Sequence, residues 1–243
     1  MKKNNQRLYH LLGLSLIILI VFRNLITSLQ SNLIDWRDYA YITWVINQNI
    51  THLRLLDFAN IFNQNAFYPY TNTIFLSDTL FTQSIIGLPF SFISKNPVAI
   101  FNSVFIITIF LNSLSSYIFW KNIFHNCTIG FVGSLACVFS PIFFTQLGHF
   151  QMLSYWPFFL SLHLAFKSNV FINKKVIFTL GVLLSIQFLA SVYLAVFLGV
   201  TLFIYFLVHT LSQKKIRPIL SFLIVILIFI LLDSLFIKGY LNT

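Results

Sequence analysis

The acidic chemistry of this chain rests on five residues, all Asp: Asp35, Asp38, Asp57, Asp78 and Asp233. Four of them fall in one polar window, residues 30–78, directly after the first apolar run of membrane length. Asp35 and Asp38 stand three residues apart, so a helix carries both on one face. A carboxylate so placed can take a proton from a hydroxyl, and nearby donors can hold the charge of a departing group. Arg37, Arg54 and Lys95 are the basic groups available to that window. His149, Gln151, Ser191 and Tyr193 punctuate later apolar runs. The chain has no Glu and no Asp-x-Asp pair, so no motif calls for a divalent cation and no cofactor is expected.

These residues sit in a chain that is 58% hydrophobic and 8% charged, the composition of a polytopic membrane protein with its chemistry gathered in one loop. The formal charge of +10 invites a nucleic-acid partner, and the positions exclude one. Lys2, Lys3, Arg7, Lys121, Lys167, Lys174, Lys175, Lys214, Lys215 and Arg217 flank apolar runs and build no basic face interleaved with aromatics. Such clusters set orientation in a membrane. Cys127 and Cys137 have neither metal-site nor disulfide-framework spacing. At the N-terminus, basic residues precede an apolar stretch from Leu8 to Leu29 with no small-residue cleavage site. That is an uncleaved signal anchor.

Runs long enough to span occur near 8–29, 97–120, 128–147, 152–167, 176–191, 192–211 and 218–237. A further run, Ile74 to Ser94, is interrupted by Asp78, Gln83, Gly87 and Pro89. The basic residues decide its status. If it does not cross, ten of the 15 lie inside with the N-terminus, and Arg37, Arg54, Lys95 and Lys238 lie outside. If it crosses, the later loops flip and only five lie inside. The first arrangement obeys the positive-inside tendency. The expectation is one all-α membrane domain over 1–243, in the plasma membrane with a cytoplasmic N-terminus. It has a first span at 1–29, an extracytoplasmic loop at 30–96 with interfacial and re-entrant helices, six further spans at 97–237, and an outer segment at 238–243. All five Asp then fall on or near the outer face, with His149, Gln151, Ser191 and Tyr193.

Within the outer loop, Ile42, Val45, Ile46, Ile50 and Leu53 recur at helical spacing, with Thr43, Asn47, Gln48, Thr51 and Arg54 on the other side. Trp36, Tyr39, Tyr41 and Trp44 form an interfacial aromatic belt. Asp35 or Asp38 caps this helix, and its free N–H groups are suited to a phosphate. Downstream, "FNQNAFYPYTNTIFLSD" mixes neutral hydrogen-bonding groups with flat aromatic rings, a combination that matches the hydroxyl edges and apolar faces of sugars.

The order of segments resembles the GT-C superfamily of membrane glycosyltransferases, of the family 39 kind. The resemblance is carried by "LIDWRDY" after the first span, by "NPVAIFNSVFIITIFLNSLSSYIFWKNIF", and by "GFVGSLACVFSPIFFTQLGHFQMLSYWPFFLSLHL". It implies transfer of a sugar from a polyprenyl-phosphate donor to an envelope or lipid acceptor on the extracytoplasmic face. It implies a general base just after the first span, which falls on Asp35 or Asp38, with Asp38 slightly favoured because Asp35 is better placed as a cap. It implies substrate-side polar groups after the third span, which fall on His149 and Gln151, where many relatives carry an acid. That departure leaves metal dependence open. Arg37, Arg54, Asp57, Asp78 and Tyr193 complete the expected substrate-binding set. Relatives are usually longer, so the chain reads as a fragment or a split-gene half.

A transporter or flippase is the rival reading. It calls for ionisable residues mid-span or broken helices in repeated halves. The interior spans carry Asn102, Asn112, Gln146, Gln187 and His163 without an acid–base pair or an internal repeat. His163 reads as a packing residue, and Gly181 and Gly199 as points of close helix approach. A non-catalytic subunit of an envelope-assembly complex is the third reading.

Overall fold

The computed structural model describes residues 3–34, 37–67, 69–166 and 170–242, with side chains from residue 6 onward except that of Arg37. The described residues are all-helical and contain no strand. The helices are α1 (Lys3–Val21), α2 (Arg23–Thr27), α3 (Arg37–Leu55), α4 (Phe81–Gly87), α5 (Pro97–Phe124), α6 (Cys127–Val138), α7 (Pro141–Thr145), α8 (Trp156–Ala165), α9 (Lys174–Ala190), α10 (Val192–Gln213) and α11 (Arg217–Leu241). Local sequence sets many of their ends. Asn96, Asn126 and Asn173 each accept hydrogen bonds from the backbone N–H groups two and three residues on. Proline stands in the first turn of α5, α7, α8 and α11, where its missing N–H costs nothing.

Four segments are long and apolar enough to cross a membrane: α5, the α6–α7 segment Cys127–Thr145, α10 and α11. The expected count of seven adds α1, α8 and α9. Of these, α1 has 19 residues and opens with the polar run Lys3–Arg7, α9 has 17 residues and α8 has ten. At ten residues α8 rises about 15 Å, half of a hydrocarbon core of about 30 Å. The ambiguous run Ile74–Ser94 forms no continuous helix. It is divided into a 3-10 turn at Thr73–Leu76, the seven-residue α4 and a second 3-10 turn at Leu88–Phe92.

The core has two main parts. One joins α1, α3, α5 and the α6–α7 region through Ile18, Ile46, Phe101, Phe105 and Val138. The other joins α8 to α11 through Leu180, Leu184, Leu198, Phe206 and Val225. A polar seam links them. Gln83 on α4 donates to Ser154 Oγ and to the Ala190 carbonyl at 2.9 and 3.1 Å, and Gln187 on α9 donates to the Ser154 carbonyl at 2.9 Å. Thr82 donates to the Ile186 carbonyl at 2.7 Å, and Asn112 on α5 donates to the Leu153 carbonyl. Buried groups of this kind need protein partners, since no water competes for them. His163 pairs with Asn122 at 3.3 Å, in keeping with a packing role.

Glycines allow two of the helix contacts. A Cβ on Gly133 would lie 2.6 Å from the Trp120 ring across the α5–α6 seam, and one on Gly181 would lie 2.7 Å from Ile228 across α9–α11. Gly199 departs from expectation. Nothing lies within 4 Å of its Cβ position, so it marks no close approach.

Candidate functional site

The site begins in the first turn of α3. Asp38 Oδ2 lies 2.9 Å from His149 Nδ1, with both side chains about half exposed. Their chain neighbours hold this geometry. Tyr39 and Phe150 are fully buried, and their rings pack against each other and against Phe101 and Phe105 of α5. His149 stands immediately before the 3-10 turn Phe150–Leu153. The turn is fixed from inside by Asn112 on the Leu153 carbonyl and by Gln83 and Gln187 on Ser154. An exposed pair therefore rests on a packed aromatic base.

Three residues after Asp38, on the same face of α3, the Tyr41 hydroxyl is hydrogen-bonded to the Ser77 side chain. Burial pushes the Tyr41 phenol above its usual value, and the Ser77 contact opposes this. Ser77 opens into a cavity of about 460 Å³, whose polar lining is Ser77, Asp78, Gln151, Tyr193 and Tyr240. Asp78 Oδ1 accepts from the Val192 N–H at 3.0 Å, at the start of α10. Ser191, the residue before that helix, makes no side-chain cap, so Asp78 caps α10 from another part of the chain. Burial raises the Asp78 pKa above the ordinary carboxylate value, and the Val192 N–H works against the rise. Tyr240 Oη donates to the Ser77 carbonyl at 2.9 Å and holds the end of α11 against the cavity wall. Gln151 Oε1 and Ser191 Oγ are buried and have no hydrogen-bond partner among the described residues. Among the described residues, neither Lys nor Arg lines the cavity.

The structure thus brings together Asp38 with His149, and Asp78 with Gln151 and Tyr193. It sets Arg54 and Asp57 apart. They lie at and beyond the far end of α3, and Arg54 is 16 residues, about 24 Å of helix rise, from Asp38. Arg54 donates to the Ser91 carbonyl at 3.1 Å and lies over the Phe92 ring, 5.2 Å from its centre. Asp57 is engaged by the Asn60 amide and by His52 Nδ1 at 3.1 Å. The Asn60 hydrogen bond is the main cause holding its pKa below the usual value. Asp35 and the Arg37 side chain lie outside the described residues. Asp233 is buried between α9 and α11, where Ser185 donates to it and the helix is locally non-helical. Among the described residues, no cluster of three or more His, Cys, Asp or Glu is suited to a metal ion.

Sequence reading missed Tyr41, Ser77 and Tyr240 as site residues. Tyr41 carried a usable signal, its three-residue spacing from Asp38. Tyr240 carried none, because only the packing of α11 against the segment around Phe75 and Ser77 brings it there.

A domain family matches residues 11–243, a range that contains every site residue named above. The chain belongs to the DUF6311 family, a domain of unknown function. No curated protein and no solved structure matches it. Both parts of the candidate site, the Asp38–His149 pair and the Asp78 cavity, are therefore parts of the DUF6311 domain.

Proposed function

We propose that the chain is a membrane glycosyltransferase that moves a sugar from a polyprenyl-phosphate donor to an acceptor hydroxyl on the extracytoplasmic face. In this reading it is a multi-pass protein of the plasma membrane with about seven crossings and a cytoplasmic N-terminus. The observation that carries the proposal is the Asp38–His149 pair, whose His149 directly precedes the 3-10 turn that gives Gln151 to a polar cavity, on a helical membrane domain. Asp38 takes the proton from the acceptor hydroxyl as the new glycosidic bond forms. His149 holds the carboxylate in place, and its ring offers a hydrogen bond to the departing phosphate.

A second cavity supports a lipid donor. It has a volume of about 360 Å³ and a mostly apolar lining that includes Phe143, Met152, Leu153, Phe159 and Leu194. Two elements serve both cavities. The 3-10 turn gives Gln151 to the polar one and Met152 to the apolar one, while the first turn of α10 gives Tyr193 and Leu194 respectively. The donor's hydrocarbon chain matches the apolar cavity, which leaves the polar one to a hydroxyl-rich acceptor.

The test is transfer from a radiolabelled polyprenyl-phosphate sugar in proteoliposomes. Wild-type protein is expected to convert the donor, and Asp38→Asn to lose about 10²–10⁴-fold of the rate. Full activity in Asp38→Asn, with Asp35→Asn also active, sinks the assignment of the base. Absence of transfer by wild type from any polyprenyl donor sinks the enzyme reading and favours the assembly-subunit alternative.

A further inference from the structure

We propose that the Asp78 cavity is half of a longer cleft, and that the cleft binds a carbohydrate chain of at least two sugar units as the acceptor. The proposal rests on the transferase reading only for the word acceptor.

A neighbouring cavity of about 290 Å³ is lined by Tyr70, Thr71, Asn72, Leu76, Gly239 and Asn242. It shares Leu76 with the 460 Å³ cavity, so that half-exposed side chain is the ridge between them. Both also use the end of α11, which gives Tyr240 to one and Asn242 to the other. Each falls in or close to the size range of small-molecule sites. Joined over Leu76, they offer two successive compartments.

The lining repeats one chemistry on both sides of the ridge. Tyr193 stands beside the first compartment with 65% of its surface exposed, and Tyr70 beside the second with 73%. Each compartment thus has one exposed aromatic ring in its lining. Gln151 serves one compartment, and Asn72 and Asn242 serve the other, with neutral amides that both donate and accept. The single carboxylate, Asp78, already shares its charge with the Val192 N–H. A carboxylate at that helix start repels an anion, so a phosphate is disfavoured here and a neutral, hydroxyl-rich molecule is favoured.

The walls are set before any ligand arrives. The Asn72 N–H donates to Asn63 Oδ1 at 2.7 Å, and the Asn72 backbone is held in the left-handed region at φ 56°. Tyr240 is tied to Ser77. A Cβ on Gly239 would collide with the Phe75 ring, so α11 and the loop meet without slack. Rigid walls lower the ordering cost of binding.

The experiment uses the full chain in nanodiscs, fluorescently tagged, on an array of envelope-type mono- to hexasaccharides together with Ser/Thr-rich peptides. The expected result is binding of at least one disaccharide or longer chain tenfold or more above its own monosaccharide. Tyr193→Ala and Tyr70→Ala should each weaken it at least tenfold while the melting temperature stays unchanged. Three results overturn the proposal: monosaccharides bound as well as their oligomers, Tyr70→Ala without effect, or peptides bound in place of saccharides. A blank array from protein that still transfers sugar from the lipid donor in an Asp38-dependent way also overturns the cleft, and leaves the transferase reading intact. Oligosaccharide binding without any transfer does the reverse.

Discussion

Asp38 and His149 are a hydrogen-bonded ionisable pair whose members come from segments more than a hundred residues apart, at about half exposure. Surface pairs of this kind contribute little to stability, about 0–1 kcal/mol. Their replacement should therefore show in rate rather than in folding. His149→Ala removes the group that orients the Asp38 carboxyl and should lower transfer by about 10- to 100-fold, about 1.4–2.8 kcal/mol of barrier, with an unchanged melting temperature. A fall in melting temperature matching the loss of activity would make His149 a structural residue. Asp78 behaves differently. Its pKa is raised in the fold by burial, so the folded state holds that proton more tightly than the unfolded chain does. The resulting stability is full below the unfolded carboxylate value and is lost as pH rises through the raised value. Thermal melts across that acidic window should show wild-type stability declining with pH, and Asp78→Asn should flatten the decline. An identical slope in the variant removes Asp78 as the cause. Asp38, His149, Asp78, Gln151 and Tyr193 were legible in the sequence because polar residues in an apolar chain are conspicuous. How they group was not legible, because the grouping depends on where the 3-10 turn at Phe150–Leu153 docks.

Among the elements, α3 shows what periodicity can and cannot tell. Ile42, Val45, Ile46 and Ile50, the expected apolar face, are all buried. Thr43, assigned to the wet side, is buried as well, and so is Asn49, which donates to the Thr79 carbonyl and to Ser84 Oγ. A helix resting on a membrane surface has one covered side, whereas α3 is covered by α4 and α5 together. The pattern gave the angle of the apolar stripe but not the number of partners. The glycines divide in the same way. Gly133→Val drives a side chain into Trp120 and should cost about 1–3 kcal/mol, read as a lower melting temperature in detergent. Gly199→Val meets open space and should leave that temperature unchanged. Equal effects from the two substitutions would show that helix propensity, not contact, governs both.

For the whole molecule, orientation rests on the basic residues at the ends of α5, α9, α10 and α11. Cysteine labels placed after Lys121, Lys174 and Lys215 should react only from the cytoplasmic side, and one at the exposed Asn65 only from the outside. An outside signal at Lys174 would invert the later crossings and separate His149 from Asp38 across the bilayer. The broken path of residues 74–94 was legible because Gly87 and Pro89 interrupt the apolar run. The joining of α11 to the residue 73–78 segment was not, since it depends on Phe75 meeting Gly239 and on Tyr240 reaching Ser77, contacts about 160 residues apart. That last contact has a consequence in time. During synthesis, Asp38, the residue 75–78 wall and the Gln151 turn all leave the ribosome well before Tyr240 does. The cavity stays open on one side until α11 has been inserted and folded back, so a nascent chain halted before that point carries the Asp38–His149 pair yet encloses no pocket. Completion of α11 is the step that closes the pocket.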